Sequence, residues 1–322
     1  MHDFVTICLP CFNARKTIVE TLNSIIKASK GCLILIGDNC STDGTQIILK
    51  EFENKYKNIK LILRTENIGY CNNINDLVSK CSTKYVAIYH SDDIYDSEIL
   101  LNEIYFAEQY NLDFTFVRTK HFYDGHKSKT KKANYRFLNK YKPVEIWTGK
   151  KIIDSIIERW NFLTTPSLLV KREIYLSLNG FNNNFPSNED LDLWIRGALK
   201  NLRFGLINKY LMNYRRSNFN GSSFYESKLI LPIYFDVIDF YNQKYNLLYS
   251  KKLENNYYSS KTIALIDLAN KLRKKSKLKS LNILKIANEN ILNNYISFYS
   301  RLLLSFPRIQ QMLTRIKFWL RN

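Results

Sequence analysis

Tyr85-Val86-Ala87-Ile88-Tyr89-His90-Ser91-Asp92-Asp93 is the stretch from which the rest of the chain is read. Tyr85 to Tyr89 are apolar and β-prone without a gap, too few for a helix and enough for a strand buried on both faces. The run then breaks into two adjacent carboxylates. In an open α/β sheet the functional crevice lies beyond the carboxyl ends of the strands. Acids at that break are placed to hold a hard divalent cation, Mg²⁺ being commonly bound through one or two carboxylates and a substrate's phosphates. Taken alone, the same residues also read as a solvated acidic loop ahead of the next helix, with Asp96 or Ser97 as its N-cap.

Upstream, Phe4 to Pro10 reads as a strand that the proline terminates. Thr17 to Ala28 has helical spacing, and Cys32 to Ile36 is a second strand ending at Gly37-Asp38-Asn39. Ser41-Thr42-Asp43-Gly44 supplies turn and cap chemistry for a helix through Phe52. Ile59 to Leu63 is a third strand, and Asn67-Ile68-Gly69 opens another helix. Tyr85 to His90 is the fourth strand; Asp96 to Tyr110 reads as helix and Asp113 to Arg118 as a fifth strand. Strands and helices alternating at this spacing predict βαβ units: an α/β fold with a mostly parallel central sheet flanked by helices.

After Thr119 the pattern weakens. His121 to Lys132 reads as a polar hairpin or loop, and the spacing of His121 and His126 matches no common metal set. A helix from Gly149 to Arg159 and a strand around Ser167 to Val170 resume the order. Asn188 to Arg196 starts a helix with acids in its first turn, where the dipole favours them. From Ser223 the spacing is helical. The chain is therefore divided into a sheet domain over 1–222 and a helical, basic C-terminal region over 223–322.

Composition narrows the class. A 322-residue chain with 45% hydrophobic and 14% aromatic residues folds and buries a core. No apolar stretch approaches the ~20 residues of a membrane span. Phe4 already enters a strand, which leaves no room for a signal peptide and predicts a cytoplasmic protein. The six cysteines all lie within the first 81 residues. Cys8 and Cys11 have redox or zinc spacing, but nothing completes a zinc set, and reduced structural thiols are expected. The net charge of +19 is concentrated late: from Lys251 onward fifteen basic residues face only Glu254, Asp267 and Glu289, a net +12. A nucleic-acid binder would carry its charge along an aromatic-bearing groove; here it sits in a helical tail, and no nucleic-acid partner is expected.

Four separated segments share one further property. Thr6-Ile7-Cys8-Leu9-Pro10-Cys11-Phe12-Asn13, Gly37-Asp38-Asn39-Cys40-Ser41-Thr42-Asp43-Gly44-Thr45, Tyr89-His90-Ser91-Asp92-Asp93 and Glu189-Asp190-Leu191-Asp192-Leu193-Trp194-Ile195-Arg196 occur in that order. Together they resemble family 2 glycosyltransferases, inverting GT-A enzymes that use nucleotide-sugar donors. The resemblance covers about residues 1–220 and implies roles residue by residue. Pro10, Phe12 and Asn13 correspond to the base-binding loop, with Phe12 against the nucleobase. Asp38 corresponds to the carboxylate that takes a hydrogen bond from uracil. Asn67 begins a recurring asparagine-glycine motif. His90, Ser91 and Asp92 occupy the DXD position, Asp92 with Asp93 holding Mn²⁺ or Mg²⁺ at the diphosphate. Asp190 corresponds to the catalytic base and Glu189 to its companion; Leu191 to Arg196 are scaffold, Arg196 being a candidate support.

The departures are specific. His90 stands where a first acid is frequent, Asn39 where a second acid follows Asp38, and Ile74 where a basic residue is common. Tyr214-Arg215-Arg216-Ser217-Asn218-Phe219-Asn220-Gly221-Ser222 resembles a segment that in the family carries a histidine, absent here. Arg215 and Arg216 either face the diphosphate or are surface charge.

The function so implied is transfer of a sugar from a UDP-sugar to a hydroxyl of a surface glycan, such as a lipopolysaccharide or capsule, with a glycan or lipid-linked glycan as acceptor. The alternative is a catalytically silent glycan- or membrane-surface-binding protein on a GT-A scaffold. Ile309, Met312, Leu313, Ile316, Trp319 and Leu320 fall on one helical face among basic residues. That stripe fits an anionic membrane surface, the protein then being peripheral on the cytoplasmic face; it also fits packing on the catalytic domain or on a second copy in an oligomer.

Overall fold

Seven consecutive buried residues form β1 (Val5–Cys11), and its neighbours are as apolar as a strand covered on both faces must be. In the computed structural model the described residues are 4–123, 130–133, 135–216, 233–273, 282–283 and 285–287. β1 lies between β2 (Leu33–Asp38) and β4 (Tyr85–Ile88), with β3 (Ile59–Leu63) outside β2, all parallel. The crossovers are α1 (Ile18–Ser29), α2 (Thr45–Lys55) and α3 (Tyr70–Ser79). Ile18, Leu22 and Ile25 of α1, one helical face, pack with Val5, Ile7 and Leu9 in the main core.

Beyond β4 the order is mixed. The short β5 (Ile94–Tyr95) and α4 (Ile99–Gln109) precede β6 (Phe114–Tyr123); β7 (Lys131–Lys132), β8 (Val144–Thr148) and α5 (Lys150–Arg159) follow it. Then come β9 (Leu168–Lys171), α6 (Arg172–Ser177), α7 (Glu189–Leu199) and β10 (Arg203–Arg216). The ten-stranded sheet runs β3-β2-β1-β4-β9-β6-β10-β5, with β7 on β6 and β8 on β10. The long ladders are parallel, including β6 with β10; β9, β8, β7 and β5 pair antiparallel over short lengths. Trp194 of α7 packs edge-on against Phe114 and Phe116 on the other side of the sheet.

Several boundaries differ from the sequence expectation, each for a physical reason. Pro10 does not end β1: the strand continues to Cys11, paired with Asp38. The ladder with β4 stops at Cys8 and Ile88, so the N–H that proline lacks falls on a side with no partner strand to serve. β6 outruns Arg118 by five residues because β10 stays paired with it to Arg216. The helix expected from Asp96 starts at Ile99, after β5 has closed the sheet edge. β10, with irregular register at Tyr210, lacks the clean alternation that marks a strand in sequence.

The chain divides into two compact units, 1–152 with 161–217, and 153–160 with 218–322. Residues 153–160, expected in the sheet domain, thus belong to the second unit. Within it are α8 (Ile233–Tyr245) and α9 (Lys251–Arg273). There Trp160 stacks on Tyr234 at 5.1 Å, Tyr234 donates to the Ile156 carbonyl, and the Tyr257 hydroxyl donates to Asp239 at 2.6 Å. No helix among the described residues is long and apolar enough to cross a membrane. The stripe from Ile309 to Leu320, Lys274 to Lys279, Ser217 to Ser222 and His126 lie outside the described residues.

Candidate active site

The carboxyl ends of β1 and β2 are tied together by side chains of their own loops. Asp38, fully buried, accepts from the Ser41 backbone N–H at 3.0 Å, the Ser41 hydroxyl at 2.5 Å and the Gln46 amide at 2.7 Å. Asn13, at φ 48°, gives its N–H to the Ser41 hydroxyl and takes the Thr42 N–H on its side chain. Pro10 is buried in β1, whereas Phe12 projects from this clamp and is half exposed. Asn39, where a second acid was the commoner residue, donates to the Asn67 side chain at 2.7 Å and accepts the Ile68 N–H at 3.0 Å. That amide can do both; a carboxylate could only accept. Gly37 is required by close approach: the Asn73 amide donates to its carbonyl, and a Cβ there would overlap the Asn73 side chain.

At the end of β4 the backbone is held from two sides. Thr17, the N-cap of α1, and Thr21 within it donate hydroxyls to the Ser91 carbonyl, and Thr21 also reaches the Asp93 carbonyl at 2.8 Å. Arg215 of β10, 3% exposed, donates its Nε to the Asp92 carbonyl at 2.6 Å and its backbone N–H to Asp93 Oδ1 at 2.8 Å. Its guanidinium pairs with Glu20 at 2.8 Å and lies over the Phe122 ring. Arg215 is therefore a buried strut behind the acidic loop, not surface charge. Arg216 is exposed and rests over Tyr214.

The donor atoms of His90, Asp92 and Asp93 lie within 4.8 Å of one another. Burial, then the adjacent Asp92, push the Asp93 carboxyl well above the usual carboxylate range, and its buried Oδ2 has no hydrogen-bond partner among the described residues. Burial lowers His90 to about 4, so the imidazole is neutral. Its Nε2 meets the Tyr70 hydroxyl at 2.8 Å, which leaves Nδ1 for a ligand. Two carboxylates, a neutral imidazole and an orphaned buried oxygen fit a hard divalent cation.

Asp190 sits in the first turn of α7. Asn161 and Thr165 donate to its Oδ2 at 3.0 and 2.8 Å, and the Leu191 N–H to its Oδ1 at 2.6 Å. Burial raises its carboxyl despite these bonds. Glu189 is pushed up to about 7 by burial and then by the charge of Asp190. Asp192, by contrast, is fully buried and paired with Arg196 at 2.5 Å, and Arg196 also caps the Leu178 and Gly180 carbonyls. Those two are scaffold.

The residues singled out in the sequence thus form two halves, one at the carboxyl ends of β1, β2 and β4 and one, Glu189 and Asp190, at the start of α7. Two tyrosines link the halves. Tyr70 touches His90 and feels the charges of Glu189 and Asp190; Tyr214 feels Asp93, Asp92 and Asp190. Sequence reasoning missed Tyr70, Asn161 and Thr165. None has a local signature; their placement depends on packing between elements far apart in the chain. His121 lies on β6 beside Tyr214, and no metal-binding group among the described residues includes it.

The profile of glycosyl transferase family 2 matches residues 6–175. The chain belongs to that family. A curated relative, the uncharacterized glycosyltransferase MJ1057 of Methanocaldococcus jannaschii, is 26% identical over 218 residues, 66% of this chain and 71% of that protein. Poly(ribitol-phosphate) beta-N-acetylglucosaminyltransferase TarS of Staphylococcus aureus is 28% identical over 119 residues, 36% of this chain and 21% of TarS. Several other curated relatives are matched over less than half of their own length. The crystal structure of TarS 1–349 in complex with UDP-GlcNAc superposes with a TM-score of 0.58 at 17% identity, covering 95% of this chain and 87% of that one. The mannosyltransferase PcManGT of Pyrobaculum calidifontis, in complex with GDP-Man and Mn²⁺, gives 0.56 at 14% identity, covering 94% and 83%. This family 2 glycosyltransferase accordingly has the GT-A fold.

Proposed function

We propose that the chain is an inverting transferase that moves a sugar from a UDP-sugar to a hydroxyl of a surface-glycan acceptor. The observation that carries this reading is the Asp190 carboxylate, oriented by three donors, raised by burial and linked through Tyr70 and Tyr214 to the His90–Asp92–Asp93 group. An acceptor hydroxyl is a weak nucleophile until a carboxylate takes its proton as it attacks. Asn161 and Thr165 fix Oδ2, so Asp190 presents a defined edge to that hydroxyl. One base acting opposite the leaving group gives inversion in a single displacement, unlike the two-carboxylate geometries of glycoside hydrolysis. Asp92, Asp93 and His90 would hold a divalent ion, which supplies Lewis-acid stabilisation to the departing diphosphate. Phe12, exposed beside Asp38 and Asn13, offers a face to the nucleobase. The UDP-GlcNAc complex of TarS and the Mn²⁺ in PcManGT favour a nucleotide-sugar donor and a metal; the activity named for TarS favours a wall-glycan acceptor.

The test is release of nucleotide from a panel of UDP- and GDP-sugars with Mn²⁺ or Mg²⁺ present. A UDP-sugar is the expected donor; turnover of GDP-sugars alone would overturn that assignment. With a lipid-linked acceptor the protein would work at the cytoplasmic face of the membrane, contacting it through the basic C-terminal region. Full-length protein should co-sediment with anionic liposomes better than a chain ending at Ser305, and equal binding by both removes the terminal stripe as the anchor.

A further inference from the structure

Among the described residues Arg118 is a cation without a counter-ion. Its guanidinium lies 5.6 Å from the Tyr135 ring centroid and 5.5 Å from that of Tyr210. Its Nε is buried, and no acceptor among the described residues takes its hydrogen. The register irregularities of β10 fall on both sides of Tyr210 and set that residue against Arg118. The same ring carries a second cation, Lys132, at 5.1 Å. In the β6–β7 ladder Lys120 directly opposes Lys132, and His121 opposes Lys131. Like charges facing each other across a sheet repel. Among the described residues none of Arg118, Lys120 and Lys132 has an ion-pair partner. Aromatic faces offset part of the cost of holding a guanidinium out of water, but they accept none of its N–H groups.

This patch adjoins Asp190 through Tyr135. The Tyr135 hydroxyl lies 3.4 Å from the Thr119 hydroxyl and also bonds Thr164, whose neighbour Thr165 donates to Asp190. Half-buried rings continue along the same wall: Phe137 meets Phe162 at 5.0 Å, Phe162 meets Trp147 at 5.4 Å, and Asn161 next to Phe162 is the second donor to Asp190. Rings of this kind give a sugar a face to lie on. A planar guanidinium held open at the end of such a wall matches an oxyanion, which it can bind through two parallel N–H bonds.

We propose that Arg118, assisted by Lys132, is an anion-reading subsite that selects an acceptor glycan bearing an acidic group, a phosphodiester or a uronate carboxylate. This rests on Asp190 marking the acceptor side. The experiment titrates full-length protein with three soluble oligomers of matched length: oligo(glycerol phosphate), oligogalacturonate and a neutral maltooligosaccharide, each at low and moderate salt. At least one anionic oligomer should bind roughly tenfold or more tighter than the neutral one, and which one identifies the acidic group. Arg118→Gln should abolish that preference and Lys132→Gln, at an exposed position, should reduce it, both with UDP affinity unchanged. The basic C-terminal region is identical in all variants, so a preference that survives Arg118→Gln, or equal binding of all three oligomers, overturns the proposal. If wild-type protein fails to bind UDP while Arg118-dependent anion binding persists, the transferase reading falls and the subsite stands.

Discussion

The loops that close the ends of β1 and β2 and the walls around Asp190 are built on opposite plans. In the first, nearly every polar side chain is consumed internally: Asp38 by Ser41 and Gln46, Asn13 by Ser41 and Thr42, Asn39 by Asn67 and Ile68. Phe12 is the large hydrophobic side chain that these loops leave exposed. In the second, groups are held but not satisfied: Asp93 Oδ2, Asn161 Oδ1 and Arg118 Nε are buried without partners among the described residues, and Glu189 and Asp190 are raised by burial. A rigid frame suits a nucleotide that is the same in every turnover. Unsatisfied groups cost stability unless a ligand or a reaction uses them, which is why the proposed function assigns the metal, the acceptor and the proton transfer to the second region.

The largest effect expected from breaking this contrast is at the acidic loop. Asp92→Asn removes a charged donor without disturbing the carbonyl that Arg215 grips. Turnover should fall by ~10³-fold or more, since metal stabilisation of a leaving group is worth several kcal/mol, with the thermal midpoint little changed. Chelation of wild-type protein should do the same, and full activity in excess EDTA would remove the metal from the reading. Next is Asp190→Asn, which keeps hydrogen-bonding groups near Asn161 and Thr165 but takes no proton. Its kcat should drop ~10²–10⁴-fold while calorimetry shows donor affinity unchanged. Normal turnover would move the base elsewhere, with Glu189 the first candidate.

How far the sequence carried the reading follows the same division. β1 to β4, their helices and the strand-end loops were legible because their signals are local: a continuous apolar run, a turn residue, an acid at the break. Asn39 and Asn67 were noticed, but not that they bond each other. Beyond β4 the signals fail. β10 hides behind irregular register, β5 has two residues, and residues 153–160 leave the sheet domain although their helical spacing looks like one more βα unit. Arg215 could be read as surface or site from sequence, since nothing nearby announces Glu20, which lies 195 residues away. Asp190 was singled out by its segment; the residues that orient it, 25 and 29 positions earlier, were not.

A smaller effect sharpens the idea of a rigid frame. Asn39→Ala leaves Asn67 Oδ1 with the Gly69 N–H as its remaining donor and removes the acceptor of the Ile68 N–H. A buried group left unpaired costs ~1–3 kcal/mol; the partly buried Ile68 N–H costs less than that, shared between folding and the ordering of the 67–69 turn. The donor KM should rise about tenfold with kcat within a few-fold, and Asn39→Asp, which keeps the acceptor for Ile68, should fall between. A change confined to kcat would mean that this turn serves the reaction rather than the donor.

The smallest effect concerns Glu189. Its carboxyl is pushed from 4.5 to about 7 by burial and then by Asp190, so across the neutral range a second negative charge develops beside the proposed base. The proton count belongs to the pair, but the sign is clear. Below pH 7 Asp190 acts beside a protonated neighbour; above it, beside an anion that raises its proton affinity. A more basic carboxylate abstracts a proton faster, so kcat/KM should climb by a further ~2–5-fold through pH 7, above the limb set by Asp190 itself. Folding runs the opposite way. A carboxyl whose folded pKa is raised contributes stability below its unfolded value, and that contribution is lost as pH rises through about 7. Glu189→Gln should erase the activity step and flatten the stability profile over the same interval, leaving the lower limb in place. An activity step that survives Glu189→Gln belongs to another group, and a stability profile unchanged by the substitution means that the carboxyl is not held out of water.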